Sequence, residues 1–449
     1  MAFIGIFAEN LGIQKVYKMA KTVNVITMGC SKNLVDSERL MKQLDANHFS
    51  VVHDSENKAE VVIINTCGFI NDAKEESIEM ILRYCKLKKK KQIEKLFVIG
   101  CLSQRWADEL RNEIPDVDQF FGTNDLDKIL KALNAEVVRD VISERIITTP
   151  KHLAYLKIAE GCNRSCSFCS IPIIRGAYNS KTISELVEET KILVGKGVKE
   201  TMIIAQDLSF YGVDLNGKQQ LPELLDQLSR IDGLEWIRLH YLYPNDFPRD
   251  ILQLMAERKN ICKYMDLPFQ HVSDSMLKTM RRNFTKEKTY ELIEKIRSTV
   301  PDIALRTTLL VGHPGETEQD FNEMKHFVQD VKFDRLGVFQ YSHEEGTHSF
   351  LNHEDTIEDF IKASRAEEIM MIQQDISLEK NQAKIGKTLK TIIDRKEGEF
   401  FVGRTEFDSY EVDNEVLIED SELQIGSFYD IEITDASDYD LFGKVSINQ

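Results

Sequence analysis

No apolar run in the 449-residue chain is long enough to cross a bilayer. Stretches such as Phe97–Leu102 and Leu309–Val311 stop far short of the roughly 20 residues a spanning helix needs, so no membrane association is expected. A secretory leader is not expected either, because the opening MAFIGIFAENLG lacks a basic start and carries Glu9 inside its apolar stretch. Positive charge is also scarce. Fifty-seven Lys and Arg face 74 Asp and Glu, a net of −17, which makes the chain a poor general binder of polyanions. The deficit is concentrated at one end: from Thr391 onward 16 acids face 4 bases, a net of −12, leaving −5 for the other 390 residues. Such a terminal segment invites a basic partner. Apolar residues at 42% and charged residues at 29% exclude a largely disordered chain, and at about 150 residues per domain the length predicts three domains.

Eight cysteines without an export signal point to a reducing, cytoplasmic setting, where metal binding or catalysis is likelier chemistry than a disulfide framework. Between Val23 and Asp140, strand and helix signals alternate. The β-rich runs Val23–Met28, Val61–Asn65 and Leu96–Gly100 are each followed by an amphipathic stretch such as Leu34–Leu44 or Lys74–Tyr84, a pattern that predicts a Rossmann-like parallel α/β domain. Cys30, Cys67 and Cys101 each fall immediately after one of those strands. Parallel sheets gather their ligand sites at the carboxyl ends of strands, so the three thiols can converge on one crevice. The alternative is three unrelated buried cysteines, which the equivalent placement in consecutive units argues against.

A second α/β region begins near His152. Six strands are expected at Ala154–Ala159, Thr201–Gln206, Trp236–Tyr241, Lys263–Pro268, Ile303–Val311 and Arg335–Tyr341, with helices such as Ile183–Val194 and Thr289–Thr299 between them. Six units are too few for a closed eight-stranded barrel, so an open crescent is predicted, ended by a helix over about Thr356–Lys380. Beyond it, short strands at Thr388–Asp394, Phe400–Thr405, Glu415–Ile418, Tyr429–Ala436 and Asp440–Ile447 predict a small antiparallel barrel. The run Lys86–Gln92 reads as a solvated helix face.

The most specific signal is EGCNRSCSFC, which spaces Cys162, Cys166 and Cys169 as C-x3-C-x2-C just after the first crescent strand. Three thiolates on one loop suit an iron–sulfur cube whose fourth iron stays open. Zinc is the alternative, but a closed zinc site wants four protein ligands and no nearby Cys or His completes the set.

This run resembles the signature of the radical S-adenosylmethionine enzymes. The resemblance implies that the open iron chelates the amino and carboxylate groups of S-adenosylmethionine, and that one electron then cleaves the sulfonium to give a 5′-deoxyadenosyl radical. From about Thr22 onward the whole chain is similar to the methylthiotransferase family. That implies an N-terminal extension at 1–21, a three-cysteine domain at 22–140, a radical domain at 148–380 and a TRAM barrel at 381–449. It also implies a second [4Fe–4S] cluster on Cys30, Cys67 and Cys101, carrying the sulfur to be inserted.

Two substrate classes divide the family: tRNA adenosine, and an aspartate of small-subunit ribosomal protein S-twelve. Four stretches resemble the ribosomal-protein branch, namely GCSKNLVDSE (Gly29–Glu38), IPIIRGAYNS (Ile171–Ser180), AQDLSFYG (Ala205–Gly212) and YSHEEGT (Tyr341–Thr347). In the last, Glu344 and Glu345 stand where the tRNA enzymes usually have Arg-Pro. The acidic terminus agrees, since it would repel tRNA and attract a basic protein. Methylthiolation of the aspartate β-carbon is therefore expected, with an electron-donor protein as a further partner. The rivals are the same chemistry on tRNA adenosine and a non-catalytic metal-cluster scaffold.

The chain departs from the family pattern at Lys181, where Arg is common, at Asp408–Asn414, and at His313, where Phe is common. His313 reads as a packing variant. Glu160, Arg175, Gln206, Asp207, Val311 and Gly312 are the expected cofactor-binding residues, although a capping or turn role fits several of them equally. Arg175 would pair with a carboxylate, either the cofactor's or the target aspartate's. Cys85 and Cys262 read as structural thiols, and no residue is assigned to acid–base catalysis.

Overall fold

The computed structural model describes residues 21–419 and 422–446; the expected N-terminal extension, save Lys21, and Ile447 of the last expected strand lie outside them. Among the described residues no helix is long and apolar enough to cross a membrane.

The first unit is a five-stranded sheet of β1 (Thr22–Thr27), β2 (Ser50–His53), β3 (Val61–Thr66), β4 (Lys95–Gly100) and β5 (Gln119–Phe120), in the order β2-β1-β3-β4-β5 with every seam parallel. The centre strand, VVIINT, is buried along its whole length because helices cover both faces. Val23, Val25, Val61, Ile63 and Phe97 meet α1 (Ser31–Ala46) and α4 (Leu126–Ala132). Ile26, Val62, Ile64 and Val98 meet α2 (Asn71–Lys89) and α3 (Cys101–Glu113), where Cys85 is also packed. β2 and β5 escape a pattern reading because a four-residue strand with no buried side chain and a two-residue strand carry no usable period.

The chain runs from β1 outward to β2 and then, through β3, the other way. The reversal lies between β1 and β3, and open parallel sheets place ligands in the crevice at that point. Cys30 and Cys67 flank it.

The second sheet contains β6 (Leu153–Lys157), β9 (Glu200–Ile204), β10 (Trp236–Leu239), β11 (Ile261–Asp266), β12 (Ala304–Val311) and β13 (Arg335–Gln340), paired in that sequence, all parallel and not closed. The expected six-strand crescent is present. Its first expected strand divides, because the backbone turns after Lys157 and Ala159–Glu160 (β7) pairs instead with Asn179–Ser180 (β8). The expected second strand ends at Ile204, two residues early, which leaves Gln206 and Asp207 on a loop. Alternation sorts the side chains of the crescent. Ile203, Ile237, Leu239, Met265 and Leu305 join the large outer core with the helices, while Arg238, His240, Tyr264, Asp266 and Arg306 are left on the concave side.

The third unit closes into a barrel of β14 (Thr388–Glu397), β15 (Phe400–Thr405), β16 (Glu415–Glu419), β17 (Phe428–Ala436) and β18 (Asp440–Val445), ordered β14-β15-β16-β18-β17. Four seams are antiparallel, and β16–β18 is parallel. A closed ring with an odd number of strands cannot alternate direction everywhere, so one parallel seam is unavoidable.

The barrel plugs the amino-terminal mouth of the crescent. Arg404 reaches Glu200 (2.8 Å) and Asp394 (2.6 Å), Asp408 accepts from Arg335 Nε (2.9 Å), and Asp413 accepts from Tyr264 (2.7 Å) and faces Arg306 (3.3 Å). The divergent stretch Asp408–Asn414 is this plug. Asp394, Asp408 and Asp413 are therefore matched inside the molecule, and the acidity left to face a partner is smaller than the sequence total implies.

Candidate functional site

All six candidate cysteines lie at strand ends or in the loop that follows one. Cys30 caps the start of α1, Cys67 follows β3 directly, and Cys101 opens α3. The three turns interlock through glycine. A Cβ built on Gly29 (φ +87°) would stand 2.7 Å from Cys67 Cβ, and one on Gly68 would stand 2.7 Å from Leu102 N and Cα. Only glycine lets the three thiol-bearing turns approach this closely.

Cys162, Cys166 and Cys169 sit on the loop between β7 and a short helix, α5 (Ile171–Arg175). The loop is braced from several sides. Ser167 N donates to Met280 O (3.0 Å), and Arg164 binds Asp207 (2.7 Å) and Asp246 (2.9 Å) while stacking on Tyr243 (4.2 Å). Arg282 Nη1 donates to Cys166 Sγ (3.3 Å).

The two trios face each other because α3, which begins at Cys101, packs on α5, which begins two residues after Cys169. Arg175, at the end of α5, crosses the gap. Its Nη2 donates to Cys101 Sγ (3.3 Å) and to Asn33 Oδ1, and its Nη1 to Asp36 (2.8 Å) and Glu160 (3.1 Å). Lys157 also donates to Asp36 and to Glu160 (2.7 Å), and Gln206 Nε2 to Glu160 Oε1 (3.0 Å). Burial alone would raise the Asp36 carboxyl, but Lys157 and Arg175 hold it below its ordinary value. Beside this network lies a cavity of about 290 Å³, lined by Asp36, Asn65, Gly100, Lys157, Glu160 and Ser180, among others.

The expected cofactor residues thus separate. Glu160, Arg175 and Gln206 share one network. Asp207 is committed to Arg164 and to Ser209 N (2.8 Å), so it shapes the cysteine loop. Val311 turns its side chain into the outer core, leaving only its backbone for a ligand, and Gly312 N donates to Glu316 (2.9 Å). Arg175 meets carboxylates of the chain itself, those of Asp36 and Glu160.

Sequence reading missed Asn33, Asp36, Lys157, Arg164, Tyr243 and Arg282. The first two lie in SKNLVDSE, whose polar residues Lys32, Asn33, Ser37 and Glu38 are buried in the fold, which a helix tolerates only where another surface supplies partners. Lys32 lies over the Tyr241 ring at 3.3 Å.

The donor sets fit iron–sulfur clusters. Burial pushes the Cys101 and Cys162 thiols up to about 11 and raises Cys67 and Cys169 as well, so a bound cation is what would ionise them. N–H donors already stand at Cys101, Cys162 and Cys166, as sulfur ligands of such clusters require. Among the described residues no three His, Cys, Asp or Glu side chains are placed to hold a single metal ion. Gln206 Oε1, Arg164 Nη2 and Ser170 Oγ are buried without a protein partner around the second trio, as groups awaiting a polar cofactor would be.

His313 is buried beside this loop. Its Nδ1 faces Pro314 O (3.0 Å) and so carries the proton, leaving Nε2 to accept from Ser349 Oγ (2.8 Å) and Ser167 Oγ (3.3 Å). Burial lowers its pKa from 6.5 to about 4. The ring is neutral at pH 7 and cannot be an acid, so it positions the loop. Because the unfolded chain takes up the proton first, this stabilisation is complete above pH 6.5 and is lost as the pH falls toward 4. His313→Phe should cost about 1–3 kcal/mol at pH 7 by stranding two hydroxyls. Urea titrations should show that deficit shrinking toward pH 4.

Three family models match the chain: the uncharacterized protein family UPF0004 over residues 22–122, the radical SAM superfamily over 156–328, and the TRAM domain over 385–445. Among full-length relatives, ribosomal protein uS12 methylthiotransferase RimO of Bacteroides thetaiotaomicron is 56% identical over 428 residues, 95% of this chain and 98% of its own. The proteins of the same name from Flavobacterium johnsoniae and Cytophaga hutchinsonii are 54% and 53% identical over 94% of this chain and 97% of theirs. Among solved structures, the radical S-adenosylmethionine methyltransferase TsrM from Kitasatospora setae aligns at a TM-score of 0.52 and 14% identity over 72% of each chain, a likeness of fold. The superfamily works through S-adenosylmethionine and a [4Fe–4S] cluster, and its model spans the Cys162–Cys169 loop. With its two cysteine-bearing α/β units and its terminal barrel, the chain belongs to the ribosomal protein uS12 methylthiotransferases, a family of radical SAM enzymes.

Proposed function

We propose that the chain attaches a methylthio group to the β-carbon of an aspartate in ribosomal protein uS12, using two [4Fe–4S] clusters, one on each cysteine trio. The observation that carries the two-centre reading is Arg175, anchored six residues after Cys169 and donating to Cys101 Sγ at 3.3 Å. It ties the trios into one site. When bound, S-adenosylmethionine and the reduced Cys162–Cys166–Cys169 cluster would supply the radical that removes the substrate hydrogen, and the second cluster would supply the sulfur.

The protein's own groups do the rest. Arg282 and Arg164 hold the radical loop in shape, and Arg282 adds positive charge at Cys166 that favours the more negative, reduced state of a cluster there. Gln206, held by Glu160, keeps a buried Oε1 without a protein partner, which a polar cofactor would satisfy.

The barrel would receive the basic substrate through acids that remain exposed, including Glu397, Glu399, Glu419, Asp430 and Asp435. We place the enzyme in the cytoplasm, reduced by an electron-donor protein. Anaerobic incubation of the reconstituted, reduced enzyme with S-adenosylmethionine, sulfide, uS12 and bulk tRNA tests the reading. Mass spectrometry should find the methylthio increment on one aspartate-containing uS12 peptide. An increment on adenosine alone would overturn the substrate.

A further inference from the structure

Glu344 belongs to the loop after β13, yet its carboxylate serves the first domain. It is 4% exposed and accepts from Lys74 Nζ (2.7 and 2.8 Å), Arg105 Nη1 (2.8 Å) and Ser342 Oγ (2.8 Å). Arg105 Nη2 donates to the neighbouring carbonyl of Glu345. Lys74 lies on α2, in its first turn, seven residues beyond Cys67. Arg105 lies on α3 four residues beyond Cys101, one helical turn along the same face. Both cations also lie over the Trp106 ring, at 5.0 and 4.1 Å, and α3 leaves helical geometry at Trp106 (φ −128°, ψ 30°). The same loop touches the radical side, since a Cβ built on Gly346 would lie 3.6 Å from Ile173 Cδ1 of α5.

We propose that Glu344 is a positioning residue, a buried ionic latch that holds α2 and α3, and with them Cys67 and Cys101, against the radical domain and so fixes the separation of the two cysteine trios. The inference rests on the two-centre reading above. It gives Glu344 a role other than substrate contact. Without that carboxylate, Lys74 and Arg105 would face each other as like charges in a nearly dry gap, and an arginine at 344 would add a third. Because sulfur must meet a short-lived carbon radical, displacement of one trio should cost product formation and leave radical generation intact.

The test is Glu344→Gln, read in two ways. The chain has two tryptophans, and Trp236 is 2% exposed, so acrylamide quenching reads Trp106 even in metal-free protein. In the reconstituted enzyme, 5′-deoxyadenosine and methylthio product are counted together. We expect stronger quenching, deoxyadenosine within about twofold of the parent, and product down roughly tenfold to a hundredfold. Glu344→Lys combined with Lys74→Glu should recover quenching and product, which guards against a variant that merely folds badly. Unchanged quenching and product would overturn the latch, and so would a proportional loss of deoxyadenosine and product. A Cys30, Cys67 and Cys101 triple alanine variant run alongside isolates the premise: if it keeps product, the two-centre reading fails, whatever Trp106 reports.

Discussion

Replacing any one of Cys162, Cys166 or Cys169 with alanine should reduce 5′-deoxyadenosine formation to background, a loss of at least about a thousandfold, because three ligands are the minimum that holds a cube with one open iron. The loop offers no substitute. The other described cysteines outside the two trios, Cys85 and Cys262, are buried in separate cores, and His313 points its only lone pair at Ser349 and Ser167. Iron content should fall by about half if each trio holds its own cluster. The matching changes at Cys30, Cys67 or Cys101 should remove a similar share of iron yet leave deoxyadenosine formation within a few-fold, while methylthio product disappears. The asymmetry follows from position, since the radical loop is braced by Arg164, Arg282 and Met280 of its own domain and not by the first trio. Loss of deoxyadenosine in both sets would mean that one shared cluster, not two, carries the chemistry.

The readable parts of this chain were those that repeat or cluster. Cysteines at equivalent points of consecutive β-α units, and three more in ten residues, declare themselves through spacing, and spacing survives without knowledge of the fold. The six crescent strands were legible as short β-rich runs set between helical stretches, and runs such as Glu200–Ile204 and Trp236–Leu239 are buried along their whole length. What spacing does not contain is which partner a polar residue finds. Asp36 and Arg175 are 139 positions apart, and Lys74 and Glu344 are 270 apart. Arg175 and Glu344 stand out in the sequence, but their partners Asp36 and Lys74 look like ordinary surface charges, and only docking of the domains reveals the pairs. The acidic terminus shows the converse: net charge was read correctly from the sequence, but its placement was not, because Asp408 and Asp413 answer Arg335 and Arg306 inside the molecule.

That docking should also be the most acid-sensitive part of the fold. Arg404 is buried between Glu200 and Asp394, and Glu200 is shared with Arg238 (2.8 Å), while Asp394 also meets His152 (2.8 Å). Burial alone would raise both carboxyls, but Arg404, helped by Arg238 at one and His152 at the other, carries them below their ordinary values. Carboxylates with depressed folded pKa values stabilise fully above the ordinary carboxylate range and lose that contribution as the pH falls through the folded values. Arg404→Met takes the shared cation from two buried acids and leaves Arg238 alone at Glu200 and His152 alone at Asp394, a loss expected at about 3–5 kcal/mol at pH 7. Trp236 offers the readout, because its ring stands edge-on to Phe428 of the barrel at 4.9 Å. In urea titrations followed by tryptophan emission, the parent should weaken as the pH drops below the ordinary carboxylate values toward 3. The variant should weaken less, since carboxyls that have lost Arg404 are held down less strongly and have less stability to give up on protonation. The gap between the two therefore narrows in acid. A gap that stays constant from pH 7 to 3 would show that Arg404 acts through packing and not through charge.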